Sequence, residues 1–216
     1  PERFYISYLS KNGRSGTLKL LGLDIAHDLA LLGSELPLGQ ANKTSALPPK
    51  GSTIFAMGNP HDLGLTIAVG TNGGILNQTD DSRILFSGNL NPGMSGGPTY
   101  NDNGEVIGIN VATARNAISF IVPSLYLNRL IERVDKEPLD AGQNLKTEVT
   151  RQLIEYENNY LDGILDHDWP KIQLRQLSLP GAISPTIRCW DNSQKLADKA
   201  LYKRYQINCA NQNQVY

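Results

Sequence analysis

A serine between glycines is the first group in this chain that could carry out covalent chemistry. The segment NPGMSGGPTY, residues 91–100, places Ser95 directly before Gly96 and shortly after Gly93. Glycine tolerates the backbone angles that turn N–H groups toward one point, and acyl transfer needs such donors around a developing oxyanion. Ser95 is therefore a candidate nucleophile, with the N–H groups of Gly93 and Ser95 as candidate oxyanion donors. The alternative is a glycine-rich turn between two strands.

A serine hydroxyl is a weak nucleophile unless a base takes its proton and a carboxylate orients that base. The best candidate carboxylate is Asp28 in GLDIAHDLALLG, residues 22–33, because it leads directly into the apolar run 29–32. This context predicts a backbone anchored in a core and a side chain at the edge of it, as a buried triad aspartate requires. A solvated aspartate at the start of a strand is the alternative.

The elements that must position these side chains are visible in the surrounding pattern. In NDNGEVIGINVAT, residues 101–113, the pair Asn103-Gly104 predicts a hairpin turn, and the apolar residues after it predict a strand that enters a core. The run VPSLYLNRLIERV, residues 122–134, predicts an amphipathic helix. Apolar residues from Leu145 onward, at spacings of four, four, three, four and four, predict a second helix.

Several of these segments together resemble trypsin-fold serine proteases of the HtrA-like type. The resemblance covers roughly residues 3–130 and is carried by DIAHDLALL, AMGNPHDLGLTIAVG, NLNPGMSGGPTYNDNGEVIGIN and ISFIVPS, in the family's order. It implies a mainly β fold, a trypsin-like double β-barrel whose first barrel is only partly present, with a C-terminal α+β extension. It also implies a serine endopeptidase in which Ser95 is the nucleophile, Asp28 the triad carboxylate, and Gly93 with Ser95 the oxyanion hole.

The same resemblance divides the chain into parts. We expect the C-terminal part of the first barrel at 1–38, the second barrel at 39–122, a closing helix at 123–137 and the α+β extension at 138–216.

The histidine base is the missing member of the expected triad. The chain has three histidines, His27, His61 and His167. On an extended strand His27 and Asp28 would point to opposite faces, and His167 lies outside the protease-like region. His61 falls in a turn that approaches the substrate cleft in this family. We therefore expect the base, and the first strands of the half-built barrel, upstream of Pro1. If nothing lies there, a peptide-binding pseudoprotease is the alternative.

Substrate contacts are implied by two further segments. Residues Ala117, Ile118, Ser119 and Phe120 correspond to the strand that pairs with a substrate's backbone by β-augmentation. Asn89 stands at the base of the expected specificity pocket, where the family usually has a small residue, and would make that pocket partly polar. Because no aspartate occupies this place, we expect small or medium apolar side chains before the cut bond, rather than Lys or Arg.

The extension contains both cysteines, Cys189 and Cys209. A disulfide between them would stabilise the module by ~3 kcal/mol in the chain-entropy model, and two buried free thiols are the alternative. The run 171–179 predicts a bulged strand with 182–190 as its partner, and 193–205 predicts a short basic helix. The segment GTNGG, residues 70–74, predicts a hairpin turn.

Composition limits the remaining function classes. The net charge of −1 gives no reason to expect nucleic acid or an anionic membrane as a partner, and no apolar run reaches the length of a membrane span. No spacing predicts a metal site or a cofactor. We expect a periplasmic or secreted enzyme that acts on a protein or peptide substrate, and the sequence leaves oligomerisation open.

Overall fold

Two antiparallel β-structures and two helices make up most of the described chain. The computed structural model describes residues 6–76, 82–114, 118–139, 144–166, 168–174, 177–181, 187–191 and 207–211. The strands include a closed six-stranded barrel, and the expectation of a mainly β fold is confirmed. Contacts divide the chain into two units, and the division falls between Tyr156 and Glu157.

A three-stranded sheet opens the first unit. Its strands are β1 (Ile6–Leu9), β2 (Ser15–Asp24) and β3 (Leu29–Ser34), paired antiparallel in the order β1-β2-β3. A register shift between Leu20 and Gly22 marks a bulge in β2. The turn between β2 and β3 carries the candidate carboxylate Asp28.

The barrel follows, and its strands are β4 (Thr53–Gly58), β5 (Thr66–Leu76), β6 (Arg83–Phe86), β7 (Pro98–Tyr100), β8 (Val106–Ala114) and β9 (Ile118–Pro123). They are hydrogen-bonded in the closed order β4-β5-β6-β9-β8-β7. Among the described residues, eight buried apolar side chains from the strands and from the loop after β6 fill the interior. Gly104 adopts φ 73° in the turn before β8, as the hairpin signal predicted.

The first predicted helix is confirmed as α1 (Ser124–Lys136). Its apolar side chains form a second cluster with both β-structures: Leu130 and Val134 pack with Leu29 of β3 and Val122 of β9. The helix lies so close to β2 that a Cβ on Gly22 would fall 2.3 Å from Val134. A glycine is therefore required where the first sheet meets α1.

The second predicted helix is confirmed as α2 (Leu145–Leu165), and none of its residues is buried. Neither described helix is long and apolar enough to cross a membrane. The described residues of the second unit include two antiparallel strand pairs: β10 (Lys171–Leu174) with β11 (Leu177–Pro180), and β12 (Ile187–Asp191) with β13 (Ile207–Asn211).

Two predictions of local structure were wrong. The run 171–179 is a hairpin of two strands, and its expected partner instead supplies β12, which pairs with β13. The segment 70–74 lies inside β5, where a register shift between Asn72 and Ile75 takes up its glycines as a bulge. The predicted basic helix at 193–205 lies outside the described residues.

Candidate functional site

The glycine loop between β6 and β7 presents Ser95 to solvent. Ser95 is exposed, whereas the side chain of Met94 is only 1% exposed and belongs to the barrel core. Burial of the Met94 side chain anchors the loop from inside the barrel. Met94 therefore fixes the loop, while its neighbour Ser95 stays accessible to solvent.

The hydroxyl of Ser95 donates a 2.7 Å hydrogen bond to the carbonyl oxygen of Val111 in β8. No hydrogen bond joins it to any histidine within the described residues. The nucleophile candidate is therefore held against the barrel strand, and a base would have to draw its proton away from Val111.

Between Gly93 and Gly97 the backbone N–H groups fall into two sets. Those of Met94, Gly96 and Gly97 donate to backbone carbonyls at 3.0, 2.8 and 3.1 Å. Those of Gly93 and Ser95 donate to no acceptor in the described part of the chain. The two N–H groups without an acceptor are the pair that the sequence nominated as oxyanion donors, so both are available to a ligand.

Gly93 has φ 97°, and a Cβ there would lie 2.2 Å from the carbonyl oxygen of Asn59. Only glycine fits, both for its conformation and for its space. The turn at 59–61 is hydrogen-bonded to the loop. The N–H of Asn59 donates to the carbonyl of Gly93 at 3.4 Å, and the N–H of His61 donates to the carbonyl of Pro92 at 2.9 Å. His61 is exposed beside the loop with φ 51°.

Asn110 supports the loop from beneath, and sequence reasoning missed it. It is 1% exposed, and its side-chain amide donates to the carbonyls of Met57 at 2.9 Å and Met94 at 3.1 Å. Its side-chain oxygen accepts from Thr99 Oγ1 at 2.6 Å. A polar residue inside the apolar run VIGINV was the signal that could have identified it, since buried amides are kept only where they are hydrogen-bonded.

Asp28 lies in the turn before β3, with φ 58°. Its N–H donates to the carbonyl of Ile25 at 3.4 Å. The expected burial was wrong, because the residue is exposed, and its carboxylate has no hydrogen-bond partner among the described residues. The strand begins one residue later, at Leu29, so the apolar run anchors Leu29 and leaves Asp28 outside the core.

His27 has an unexpected partner in the same turn. Its Nδ1 lies 2.9 Å from both carboxylate oxygens of Asp24, and its ring stacks on Tyr126 of α1 with centroids 3.6 Å apart. Burial alone would raise the pKa of Asp24, but the hydrogen bonds and charge of His27, aided by Arg133, lower the pKa below its usual value. The pair has the carboxylate–imidazole contact of a triad but no described bond to Ser95.

The structure brings the two candidate catalytic segments to one apolar cluster. Leu29, which follows Asp28, and Val111, whose carbonyl holds Ser95, belong to the same cluster around α1. No hydrogen bond joins Ser95 to Asp28 within the described residues. The described residues also contain no group of three or more His, Cys, Asp or Glu suited to a metal ion.

The expected substrate-pairing strand needs a correction. Ser119 and Phe120 are buried, and each is paired with both β6 and β8, so neither offers a free backbone edge. Ile118 is paired only with Ala114 of β8 and is 41% exposed. Ala117 lies outside the described residues. Within the described part of β9, Ile118 is therefore the expected substrate-pairing residue that is not paired with β6.

The remaining candidates are Asn89, the two cysteines and His167. Asn89 is exposed, between buried Gly88 and buried Leu90. Cys189 and Cys209 are directly opposite one another in the register of β12 and β13. Their side chains, and His167, are outside the described part of the chain.

With the fold and the loop geometry in place, comparison with known proteins identifies the class. The model of the trypsin-like peptidase domain matches residues 2–109, and the chain belongs to this family. The matched residues include the first sheet, the turn that carries Asp28 and the loop that carries Ser95.

Individual relatives narrow the likeness to HtrA-type proteins. The chain is 34% identical over 136 residues to "Probable periplasmic serine endoprotease DegP-like" of Chlamydia trachomatis, covering 57% of this chain and 27% of that protein. It is 36% identical over 149 residues to "Serine protease HTRA1A" of Danio rerio, covering 63% and 31%. The chain thus spans about a third or less of the length of these relatives.

Comparison with solved structures shows the same likeness to HtrA-type proteases. The serine endoprotease from Yersinia pestis matches with a TM-score of 0.55 at 27% identity, covering 62% of this chain and 49% of that one. The HtrA-type protease AlgW with a tripeptide matches with a TM-score of 0.56 at 27% identity, covering 60% and 47%. The expected trypsin-like, HtrA-type resemblance is confirmed.

Proposed function

We propose that this chain is part of a serine endopeptidase of the HtrA type, and that Ser95 is its nucleophile. The observation that carries the proposal is the glycine loop. Ser95 is exposed there, and within residues 93–97 the N–H groups of Gly93 and Ser95 are the ones that no described acceptor uses. Open N–H donors beside an exposed serine hydroxyl are what stabilisation of an oxyanion during acyl transfer requires.

The proposed reaction is acyl transfer to Ser95. Ser95 Oγ attacks the carbonyl carbon of a peptide bond while a histidine, expected upstream of Pro1, takes the hydroxyl proton. The oxyanion binds the N–H groups of Gly93 and Ser95, and the histidine returns the proton to the leaving amine. Water, activated by the same histidine, then hydrolyses the acyl-enzyme and frees Ser95.

Asp28 is assigned the role of orienting that histidine. Its carboxylate is exposed and has no partner among the described residues, so it can accept a hydrogen bond from an imidazole that arrives from another segment. Asp24 is a poorer candidate for this role because both of its oxygens already contact His27.

The substrate class is a protein or peptide. One matched structure, AlgW, is described with a tripeptide, and the open end of β9 at Ile118 is the place for a substrate backbone to pair. We keep the preference for small or medium apolar residues before the cut. A periplasmic location is supported by the names of relatives. A disulfide between Cys189 and Cys209 would suit such an oxidising compartment.

A peptide-binding pseudoprotease is the second candidate, favoured by one observation. Ser95 is hydrogen-bonded to a backbone carbonyl, and no described histidine contacts it. A protein that had lost its base would retain the scaffold and the open strand end but cleave nothing.

Cleavage of fluorescence-quenched peptides separates the two. The full-length protein is incubated with a peptide series that varies the residue before the cut, beside a Ser95→Ala variant. Proteolysis that disappears in Ser95→Ala supports the endopeptidase. Peptide binding that is equal in both proteins, without any cleavage, favours the pseudoprotease and rejects the first proposal.

A further inference from the structure

Helix α2 is hydrogen-bonded to the end of β2 through the side chain of Gln152. Gln152 Nε2 donates to the carbonyl of Leu23 at 3.0 Å, and its Oε1 accepts from the N–H of Ile25 at 3.0 Å. A carbonyl and an N–H two residues apart are the groups that one edge of a strand offers to a neighbouring strand. The side-chain amide of Gln152 therefore takes the place of a strand partner where β2 ends.

The amide of Gln152 is itself held in one orientation. Its Nε2 also donates to Glu148 Oε1 at 2.7 Å, and Arg151 donates to the two oxygens of Glu148 at 2.9 and 2.8 Å. Glu148 is 13% exposed. Because a bidentate arginine fixes the plane of a carboxylate, this pair orients the donor that Gln152 directs at Leu23.

Polar contacts contribute to the attachment of α2 at this point. No residue of α2 is buried, and its apolar residues Leu153 and Ile154 are 46% and 56% exposed. Arg133 of α1 also donates to the carbonyl of Leu23, so among the described residues the contact that Gln152 alone supplies is the hydrogen bond from the N–H of Ile25.

The segment that Gln152 holds continues directly to the candidate triad carboxylate. The N–H of Ile25 donates to Gln152, and the carbonyl of Ile25 accepts from the N–H of Asp28. One peptide segment therefore joins α2 to Asp28. Asp28 has φ 58°, a conformation that costs energy in a residue other than glycine and persists where its surroundings hold it.

We propose that Gln152 is a positioning residue for the active site. By holding Leu23 and Ile25 it fixes the turn before β3, and it thereby sets the direction of the Asp28 carboxylate. A helix outside the barrel then determines how well the triad is assembled. The inference rests on the proposed role of Asp28, but the contact itself can be tested separately.

Hydrogen exchange resolved at single amides tests the contact. The comparison uses the full-length wild type, Gln152→Met, which keeps side-chain length and helix propensity but loses both bonds, and Asn158→Met, a matched change of an exposed amide on the same helix. We expect the Ile25 amide to exchange about tenfold faster in Gln152→Met and at the wild-type rate in Asn158→Met. An unchanged rate at Ile25 in Gln152→Met would overturn the proposal. Glu148→Gln provides a second route, with a smaller acceleration expected at the same amide.

Labelling of Ser95 by a fluorophosphonate across a pH series tests the positioning role. A carboxylate that is less firmly placed stabilises the protonated base less, so the acid limb of the labelling profile should move to lower pH in Gln152→Met and stay in place in Asn158→Met. Faster exchange at Ile25 with an unchanged labelling profile would show a structural contact only and reject the positioning role. If the wild type is not labelled at all, the proposed function and the positioning role both fail, while the exchange data still decide whether Gln152 holds the turn.

Discussion

The Ser95 hydroxyl and the Val111 carbonyl oxygen are 2.7 Å apart, joined by a hydrogen bond that the serine donates. For attack on a substrate, the same proton must be passed to a base. A hydrogen bond of this kind contributes a net stabilisation of about 1 kcal/mol. A positioned histidine can therefore displace the Val111 carbonyl as the partner of the Ser95 hydroxyl. If Ser95 is the nucleophile, as proposed, this is a resting orientation that a complete triad would change.

The conformation of Gly93 predicts a steep penalty for any side chain there. In Gly93→Ala the new Cβ would meet the carbonyl of Asn59 at 2.2 Å and force φ 97° on a residue other than glycine. We expect the free energy of unfolding to fall by more than about 2 kcal/mol and labelling of Ser95 to be lost. Thermal and urea unfolding, together with fluorophosphonate labelling, measure the two effects.

Gly96→Ala is the matched control in the same loop. Gly96 also has a positive φ, 80°, but a Cβ there meets nothing within 4 Å. Only the conformational cost of about 1 kcal/mol is expected. An equal decrease in the free energy of unfolding in Gly93→Ala and Gly96→Ala would mean that contact with Asn59 does not shape the loop.

Asn110 gives a prediction about the support beneath the loop. Its removal in Asn110→Ala leaves the carbonyl of Met94 and the hydroxyl of Thr99 without this buried partner. We expect unfolding to become easier by about 3 kcal/mol, against about 0.5 kcal/mol for the exposed Asn103→Ala. Denaturant titrations of both variants test this, and similar values for the two would contradict the assigned role.

Acid should weaken the attachment of α2. The hydrogen bonds of Arg151 lower the pKa of Glu148 from 4.5 to about 2, against the opposing effect of burial. Because the folded-state pKa is depressed, the stabilisation by Glu148 is fully present above pH 4.5 and is lost as the pH falls toward 2. The pKa of Asp24 is shifted in the same direction.

The difference in unfolding free energy between wild type and Glu148→Gln measures this contribution. It should be largest above about pH 5 and shrink toward about pH 2.5. A difference that stays constant over this range would show that the ionised Glu148 carboxylate adds nothing to the fold.

The register of β12 and β13 favours a disulfide between Cys189 and Cys209. Residues directly opposite in antiparallel strands have Cα atoms roughly 4.5–5.5 Å apart, within the range that disulfides span. Non-reducing intact-mass analysis should give a protein two hydrogen atoms lighter than the reduced one. Reduction should destabilise this hairpin by ~3 kcal/mol. Reaction of both thiols with an alkylating reagent in the native, unreduced protein would exclude the bond.

Local patterns predicted those features that depend on neighbouring residues. The helix α1, the strand β8 and the glycine loop follow from periodicity and from turn residues, which act over a few positions. The exposure of Asp28 was missed because the sequence does not show where a turn ends and a strand begins. Gln152 was missed because its partners, Leu23 and Ile25, are distant in the chain, and no spacing rule reports such a contact.

Mapping of a fluorophosphonate adduct by intact mass and peptide sequencing tests the central claim most directly. The full-length protein and its Ser95→Ala variant are compared, with Ser87→Ala as a control for an exposed serine outside the glycine-rich segment 93–97. A single adduct on Ser95, absent only from Ser95→Ala, is the predicted result, since it requires both an activated hydroxyl and an oxyanion site. A folded full-length protein that remains unlabelled, or one labelled elsewhere, would contradict the assignment of Ser95 as a catalytic nucleophile.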